Sequence, residues 1–403
     1  RTRSICQPAP AIGGLVAWVC SKGEHDRLTI QQTFLLTSGV WVPLPFFAAL
    51  PYMLGTTGLD ATDAIFEGMS GLTTTGAPVL SGLGEFPKGL LLWRGLTQWL
   101  GGIGIIVVAM VFLPELRVGG MQIFRTESFD TDGKILPRAT EISSRISVIY
   151  ISLTLVCAAA YLLAGMSVFD ATVHAMTTVA TGGFANYDIS FAAFSPVAQY
   201  VSAIFMMLAA LPFVRFVQLT AGTAQPLIKD RQVQGFFLTA FNLVLVLTLW
   251  QWQNQGDLSE EAFRGVLFNT VSILTGTGYA SDNYMVWGSF PVAMLFFIGL
   301  IGGCAGSTSC SIKVFRYQLL FASVKVQLQR IYSPNGIFTP RYQGRRVEED
   351  VLASVMSFFV FFVVTLGIMS VALGLTGVDF ITSVSGAAAA LANIGPGLGD
   401  TIG

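Results

Sequence analysis

Long apolar runs separated by short polar connectors set the pattern of this chain. Seven of them, at about 31–54, 89–114, 146–165, 193–214, 236–252, 288–304 and 350–373, approach or exceed the roughly 20 apolar residues that a bilayer crossing takes. Between them lie four shorter segments, 63–73, 170–179, 264–274 and 382–391, each only ten or eleven residues long and too short to cross. Each is followed by a glycine-centred stretch: Thr73-Thr74-Thr75-Gly76-Ala77, Ala180-Thr181-Gly182-Gly183-Phe184, Thr275-Gly276-Thr277-Gly278-Tyr279 and Ala392-Asn393-Ile394-Gly395-Pro396. Aligned on Gly76, Gly183, Gly278 and Gly395, the stretches lie 107, 95 and 117 residues apart. One structural unit therefore recurs four times, and a repeat fixes architecture before local detail does.

The pattern predicts an all-α membrane protein: four pseudo-repeated units, each a membrane helix, a re-entrant pore helix and a second membrane helix, around a central pore. Non-helical backbone at membrane depth is tolerated only where protein buries it or it lines a watery cavity, so the glycine stretches should face a common axis. A re-entrant helix that ends mid-membrane points the partially negative end of its dipole at that cavity. The extended stretch after it can aim backbone carbonyls at the axis and replace the hydration shell of a monovalent cation. Glycine serves where φ is positive or backbones crowd. No Asp or Glu stands in any of the four stretches, which argues against a carboxylate ring for divalent ions, and nothing suits Zn or Ca coordination. Asp63 and Asp170, each 13 residues before their glycine, are expected as helix N-caps, and Asp60 and Asp379, each 16 before, to cap or flank.

Composition agrees with a membrane class. Of 403 residues 53% are hydrophobic and only 11% charged, against about 25% charged in soluble domains. The net charge of −1 leaves no domain-wide basic face, so no nucleic-acid partner is expected. Cys6, Cys20, Cys157, Cys304 and Cys310 are scattered without CxxC spacing and read as buried thiols. Of 22 Lys and Arg, 15 fall in three connectors, and Arg1, Arg3, Lys22 and Arg27 precede the first span. The positive-inside rule makes those connectors cytoplasmic and brings the glycine stretches in from outside. No cleavable signal peptide is visible. The chain reads as a fragment with a remnant of an N-terminal extra helix (1–25), pore unit 1 (26–117), a cytoplasmic connector (118–141), pore unit 2 (142–218), a second connector (219–232), pore unit 3 (233–320), a third connector (321–347) and pore unit 4 (348–403), whose second helix is missing.

Four motifs carry a family resemblance: Leu72-Thr73-Thr74-Thr75-Gly76, Gln98-Trp99-Leu100-Gly101-Gly102-Ile103-Gly104, Ile301-Gly302-Gly303-Cys304-Ala305-Gly306-Ser307-Thr308 and Asn393-Ile394-Gly395-Pro396-Gly397-Leu398-Gly399. Over nearly all of its length, from about Asp26, the chain resembles the superfamily of K⁺ transporters (Trk, Ktr and HKT), most of all its bacterial TrkH-type subunit. The resemblance implies K⁺ as the transported ion, no bound organic cofactor, and a selectivity filter whose four glycines map onto Gly76, Gly183, Gly278 and Gly395. Thr74 and Thr75, Thr181 and Gly182, Gly276 and Thr277, and Asn393 and Ile394 would complete it. It also implies a flexible intramembrane gate loop at 302–311, interrupting the inner helix of the third unit. Gly302, Gly303, Ala305, Gly306, Ser307, Thr308, Ser309 and Ser311 form it, and Lys313 beneath the filter would help set occupancy or gating, with a snorkelling anchor as the equal alternative. Where the family tends to run glycines, Ser309-Cys310-Ser311 stands here, which implies a stiffer gate. The expected setting is a multi-pass protein in the lipid bilayer of the bacterial inner membrane, a homodimer that docks a cytosolic nucleotide-binding ring of the TrkA type; connector 321–347 reads as its docking surface, with a plain solvated loop as the near-equal alternative.

The rival within transport is a Na⁺-conducting or Na⁺-coupled variant of the same fold; plant relatives with that preference carry Ser at the first filter glycine, where this chain has Gly76. An intramembrane enzyme using Cys304 or Cys310 needs a base in reach, and the only two His, His25 and His174, fall in other segments. His174 is expected as a packed neutral imidazole rather than a pH sensor. Arg94, on the outer side near Glu85 and Lys88, is expected as a surface or snorkelling residue, and Trp93 and Trp99 as interface anchors or as core packing.

Overall fold

The computed structural model describes residues 30–55, 57–108, 119–121, 139–256 and 258–398. The expected N-terminal remnant, most of the first connector, Cys6 and Cys20 lie outside the described residues. The chain is an all-α membrane protein. Among the described residues the only strands are a two-residue hairpin, β1 (Arg341–Tyr342) and β2 (Arg345–Arg346), in the third connector.

Four repeats follow one another. The first comprises α1 (Ile30–Gly39), α2 (Pro43–Leu54), the short α3 (Ala61–Leu72) and α4 (Lys88–Val107); the second, α5 (Ala139–Leu163), the short α6 (Val168–Val179), α7 (Pro196–Ala209) and α8 (Phe213–Thr220). After the one-turn α9 (Gln225–Lys229) comes the third, with α10 (Arg231–Gln255), the short α11 (Glu260–Thr275), α12 (Ser289–Gly299) and α13 (Val314–Tyr332). The fourth has α14 (Glu349–Gly374) and the short α15 (Phe380–Ala392). Among the described residues five helical segments are long and apolar enough to cross a membrane, the α1–α2 run Phe34–Leu54 counting as one of them, and the bent pair α7–α8 makes a sixth if it counts as one span.

Polar groups face inward and apolar groups outward, the arrangement a lipid solvent selects. Glu67, Arg94, Gln98, His174, Asn269, Thr277 and Thr308 are buried, whereas Leu163, Phe241, Phe297, Phe361 and Leu375 stand exposed.

Two expected spans are broken. The run 193–214 is not one helix: α7 and α8 meet at 91°. Pro212 lacks an amide donor and pushes Leu211 out of the α region, so the helix stops at Ala209 and restarts at Phe213. The run 288–304 is helical only over Ser289–Gly299; its inner continuation waits until Val314, with the non-helical segment 300–313 between.

The caps of the short helices also differ from expectation. Asp63 and Asp170 lie inside the first turn; Asp60 and Ser167 are the caps, their side chains accepting from the Asp63 and Asp170 amides at 2.8 and 3.1 Å. Asp379 caps α15. Asp60, Ser167 and Asp379 all stand 16 residues before their glycine, so the register is real and the cap sits one turn earlier. In the third unit the helix is a turn longer and Ser259 caps it.

Candidate ion-permeation site

The four glycine stretches meet as one ring. Gly76, Gly183, Gly278 and Gly395 all have positive φ, between 76° and 97°. The residues two positions earlier are left-handed as well: Thr74 at 60°, Thr181 at 49°, Gly276 at 74° and Asn393 at 58°. The intervening Thr75, Gly182, Thr277 and Ile394 are not. A left-handed residue at every second position turns successive carbonyls toward the same side of a strand, where regular β backbone would alternate them. Three of the four left-handed positions before the glycine carry side chains; for the β-branched Thr74 and Thr181 the state is uncommon and is held by surrounding structure, whereas Asn393 enters it more readily.

The order around the ring follows the order along the chain. A Cβ on Gly76 would collide with the carbonyl oxygen of Gly182, one on Gly183 with that of Thr277, and one on Gly278 with that of Ile394. The circle closes where a Cβ on Gly395 would come within 2.7 Å of the Thr75 oxygen. Each strand hangs on its own helix by the same bond. The amides of Thr75, Gly182, Thr277 and Ile394 donate to the carbonyls of Ser70, Thr177, Ser272 and Ala389, five residues back, at 2.9 to 3.0 Å.

Neighbouring elements tighten the ring unequally. Gln98 on α4 donates from Nε2 to the Gly182 carbonyl, while its Oε1 accepts from the Phe184 amide at 3.1 Å. One ring carbonyl is thereby engaged by the protein itself. The glycines that follow Gln98 let α4 approach both short helices: a Cβ on Gly101 would strike the Leu72 carbonyl, and one on Gly102 would lie 3.0 Å from Ala180. Asn393 ties the fourth strand to the first, with Nδ2 donating to the Thr73 carbonyl at 2.8 Å and Oδ1 accepting from the Thr75 hydroxyl.

Arg94 is not at the surface. It is 2% exposed, pairs with Glu67 at 2.8 Å, donates to the Ala185 carbonyl at 2.9 Å and covers the Phe184 ring at 4.1 Å. The fully buried Glu67 accepts from the Val79 amide at 2.8 Å, so the pair joins the ends of the first and second strands. Without its neutralising partner either charge would be costly at that depth. His174 is a packed imidazole, as expected, with Nδ1 2.9 Å from the Asp170 carbonyl and Phe194 edge-on at 4.8 Å. Trp93 and Trp99 spend their indole N–H inside the protein, on the Ala48 carbonyl and the Thr154 hydroxyl, both at 3.0 Å.

The segment 300–313 lies against the helix C-terminal ends below the ring. Gly302, Gly303, Cys304, Ala305, Gly306, Ser307, Thr308 and Ser309 are all buried. Thr308 Oγ1 is 3.1 Å from the carbonyl oxygens of both Val179 and Ala209; Ser309 donates to Thr275 at 2.6 Å and Ser311 to Ala392 at 3.2 Å. Ser307 donates to Cys304 at 2.6 Å. The bend between α7 and α8 receives the loop, since Cys304 donates to Ala210 at 3.0 Å and Phe213 to Gly306 at 2.9 Å. A Cβ on Gly302 would meet the Cys310 carbonyl, and one on Gly303 would lie 2.7 Å from Ser309. Lys313 ends the loop at φ 74° and donates its amide to Ile301 at 2.8 Å. Cys310 lies within 3.0 Å of Asn393 Nδ2.

At the opposite face, Asp379 and Glu260 are carboxylates held below their ordinary range. The Thr382 side chain is the main cause at Asp379, and hydrogen bonding from Arg264 at Glu260. Both stay ionised at neutral pH, as a cap and a surface partner must. Among the described residues no cluster of three or more His, Cys, Asp or Glu could hold a metal.

The sequence singled out neither Glu67, Asn269 and Ser385 nor the bend at Pro212, it placed Arg94 at the surface, and it offered Gln98 only as part of a motif. Buried carboxylate, amide and guanidinium groups inside short apolar helices are themselves a signal, because such groups are retained at membrane depth only when paired or functional.

A ring of four re-entrant backbone strands set among membrane helices defines a cation-transport protein. The chain belongs to the TrkH family, described as cation transport proteins, whose family model matches residues 9–403. It is 44% identical over 390 residues to the Trk system potassium uptake protein TrkI of Halomonas elongata, covering 96% of this chain and 79% of that one. It is 36% identical to the Trk system potassium uptake protein TrkH of Escherichia coli strain K12, over 97% of this chain and 82% of the other. The crystal structure of the potassium transporter TrkH from Vibrio parahaemolyticus superposes with a TM-score of 0.85 at 34% identity, covering 94% of this chain and 79% of that one. These relatives are transporters rather than enzymes.

Proposed function

We propose that this chain is a potassium uptake subunit that passes K⁺ through the ring formed by Thr74, Thr75 and Gly76, Thr181, Gly182 and Gly183, Gly276, Thr277 and Gly278, and Asn393, Ile394 and Gly395. The observation that carries the reading is the closed register of glycines against neighbouring carbonyls, with the same alternation of φ in all four strands. Carbonyl dipoles fixed in such a ring replace the hydration shell of a monovalent cation without an acidic group. The relatives named for potassium uptake support K⁺ as the ion. Gly76, where serine would favour Na⁺, supports K⁺ over the Na⁺-conducting alternative.

The loop 300–313 is the gate in this reading. Its hydroxyls sit on carbonyls of Val179, Thr275 and Ala392 at the partially negative ends of three short helices. A cation in the cavity beneath the ring would want those same oxygens. Displacing the loop would free them and open the path, and Lys313 at its end adds a positive charge that withdraws with it. The Lys and Arg bias supports a cytoplasmic side for the basic connectors, with the bacterial inner membrane as the setting in this reading. A cytosolic nucleotide-binding ring of the TrkA type would act on the loop through connector 321–347, with the subunit dimeric.

Expression in full in a bacterium that lacks K⁺ uptake should restore growth at low external K⁺. Restored Na⁺ flux without restored growth would support the Na⁺ reading instead.

A further inference from the structure

Each glycine strand is held a second time, three residues past its glycine. The Val79 amide donates to Glu67 Oε2 at 2.8 Å, the Asn186 amide to His174 Nε2 at 3.3 Å, and the Ser281 amide to Asn269 Oδ1 at 3.2 Å. Glu67, His174 and Asn269 all stand nine residues before their glycine, and all three are fully buried. In the fourth unit that position is Gly386, which has no side chain, and the preceding residue takes over: the Leu398 amide donates to Ser385 Oγ at 2.9 Å. A carboxylate, an imidazole, an amide and a hydroxyl thus make one and the same bond in four places.

Each acceptor is oriented by a further contact. Arg94 fixes Glu67 through the ion pair. His174 and Asn269 each place their other polar atom on the carbonyl four residues back, Asp170 and Gly265, at 2.9 Å. That contact makes Nδ1 the protonated nitrogen of His174 and leaves Nε2 free to accept, a tautomer assigned from hydrogen-bond geometry. Asn269 is turned in the same sense, its Nδ2 donating to the Gly265 carbonyl and to the Ser281 hydroxyl at 3.1 Å, and its oxygen accepting from the Ser281 amide. Four unlike side chains converging on one geometry mark a requirement of the strand, since a buried residue needing only some partner would find different partners in the four units.

We infer that Glu67, His174, Asn269 and Ser385 are positioning residues that set the width of the ring at its far end, and with it the choice between K⁺ and Na⁺. This rests on the filter reading above. The bond five residues back anchors the strand before its glycine, and the brace anchors it after; only with both ends fixed do the intervening carbonyls hold their spacing. A ring free to contract would ligate the smaller Na⁺ better, because coordination of either ion depends on cavity size and carbonyl number.

The test is K⁺ and Na⁺ flux into proteoliposomes. Asn269→Leu removes the acceptor at similar volume and should lower the K⁺ to Na⁺ ratio roughly tenfold, the order expected when a buried amide loses its partner. Asn269→Gln retains an acceptor on a chain as long as that of Glu67, which reaches the equivalent amide, and should keep the ratio within about twofold. Ser385→Ala is a near-isosteric change and decides the matter should the leucine variant not fold; it should lower the ratio in the same direction. Unchanged ratios in Asn269→Leu and Ser385→Ala overturn the inference, as does a glutamine variant as impaired as the leucine one. Gly76→Ser runs alongside. If it lowers the ratio and the brace variants do not, only the brace fails; if it too leaves the ratio intact, the filter reading itself fails.

Discussion

The α-carbon of Gly76 faces the carbonyl oxygen of Gly182 so closely that no Cβ fits between them, and Gly76 also carries a φ of 76°. Steric closeness and left-handed backbone independently demand glycine there. Gly76→Ser must push the second strand aside and strain its own backbone, and the K⁺ to Na⁺ flux ratio should fall by about tenfold or more as the ring spreads. Radioactive Rb⁺ uptake against competing Na⁺ measures it, and a ratio equal to that of the parent would remove the first strand from the filter.

Arg94 and Glu67 form a buried pair in which each neutralises the other. Arg94→Met should cost about 3–5 kcal/mol, because it leaves an unpaired carboxylate inside the protein. Arg94→Met combined with Glu67→Gln should cost less than the single change, since no charge is then stranded. Thermal unfolding in detergent ranks the two variants; the reverse order would mean that the pair is not the dominant interaction.

Asn393 combines a left-handed backbone with two side-chain bonds to the first strand. Asn393→Gly keeps the backbone accessible while deleting the amide, so a fall in K⁺ selectivity would come from the lost link to Thr73 and Thr75 rather than from strain. A severalfold fall is expected in the same flux assay.

The hydroxyl of Thr308 touches carbonyls of two different helices, Val179 on α6 and Ala209 on α7. Thr308→Val keeps the shape and removes the donor, at a cost of about 1–3 kcal/mol to the docked loop. Basal Rb⁺ flux should rise severalfold, and deletion of 302–309 should raise it further. Flux that falls in both would show that the loop supports the pore instead of closing it.

Orientation can be read with a membrane-impermeant maleimide on intact cells. Val286→Cys lies 72% exposed on the side where the short helices begin and should label, whereas Ile337→Cys, 95% exposed in the third connector, should label only after lysis. The opposite result would invert the positive-inside assignment.

The sequence by itself determined the features that depend on local chemistry. Apolar run length located most of the spans though not the breaks within 193–214 and 288–304, the fourfold recurrence set the repeat, and the glycines fell where left-handed backbone and crowding required them, because a missing Cβ is legible at each position alone. The small residues of 302–311 likewise announced where the third inner helix would break. What only the tertiary structure decided were the pairings. Arg94 looked like a surface cation because its neighbours in the chain, Glu85 and Lys88, are polar, yet packing carries it to Glu67, 27 residues away. Asn393 finds Thr73 across 320 residues, and Gln98 finds Gly182 across 84. The right angle between α7 and α8 was legible in Pro212 only as a break, not as a socket for the loop. A helix or a turn follows from bonds within a few residues, whereas the partner of a buried polar group is fixed only when the whole ring closes and leaves it nowhere else to bond.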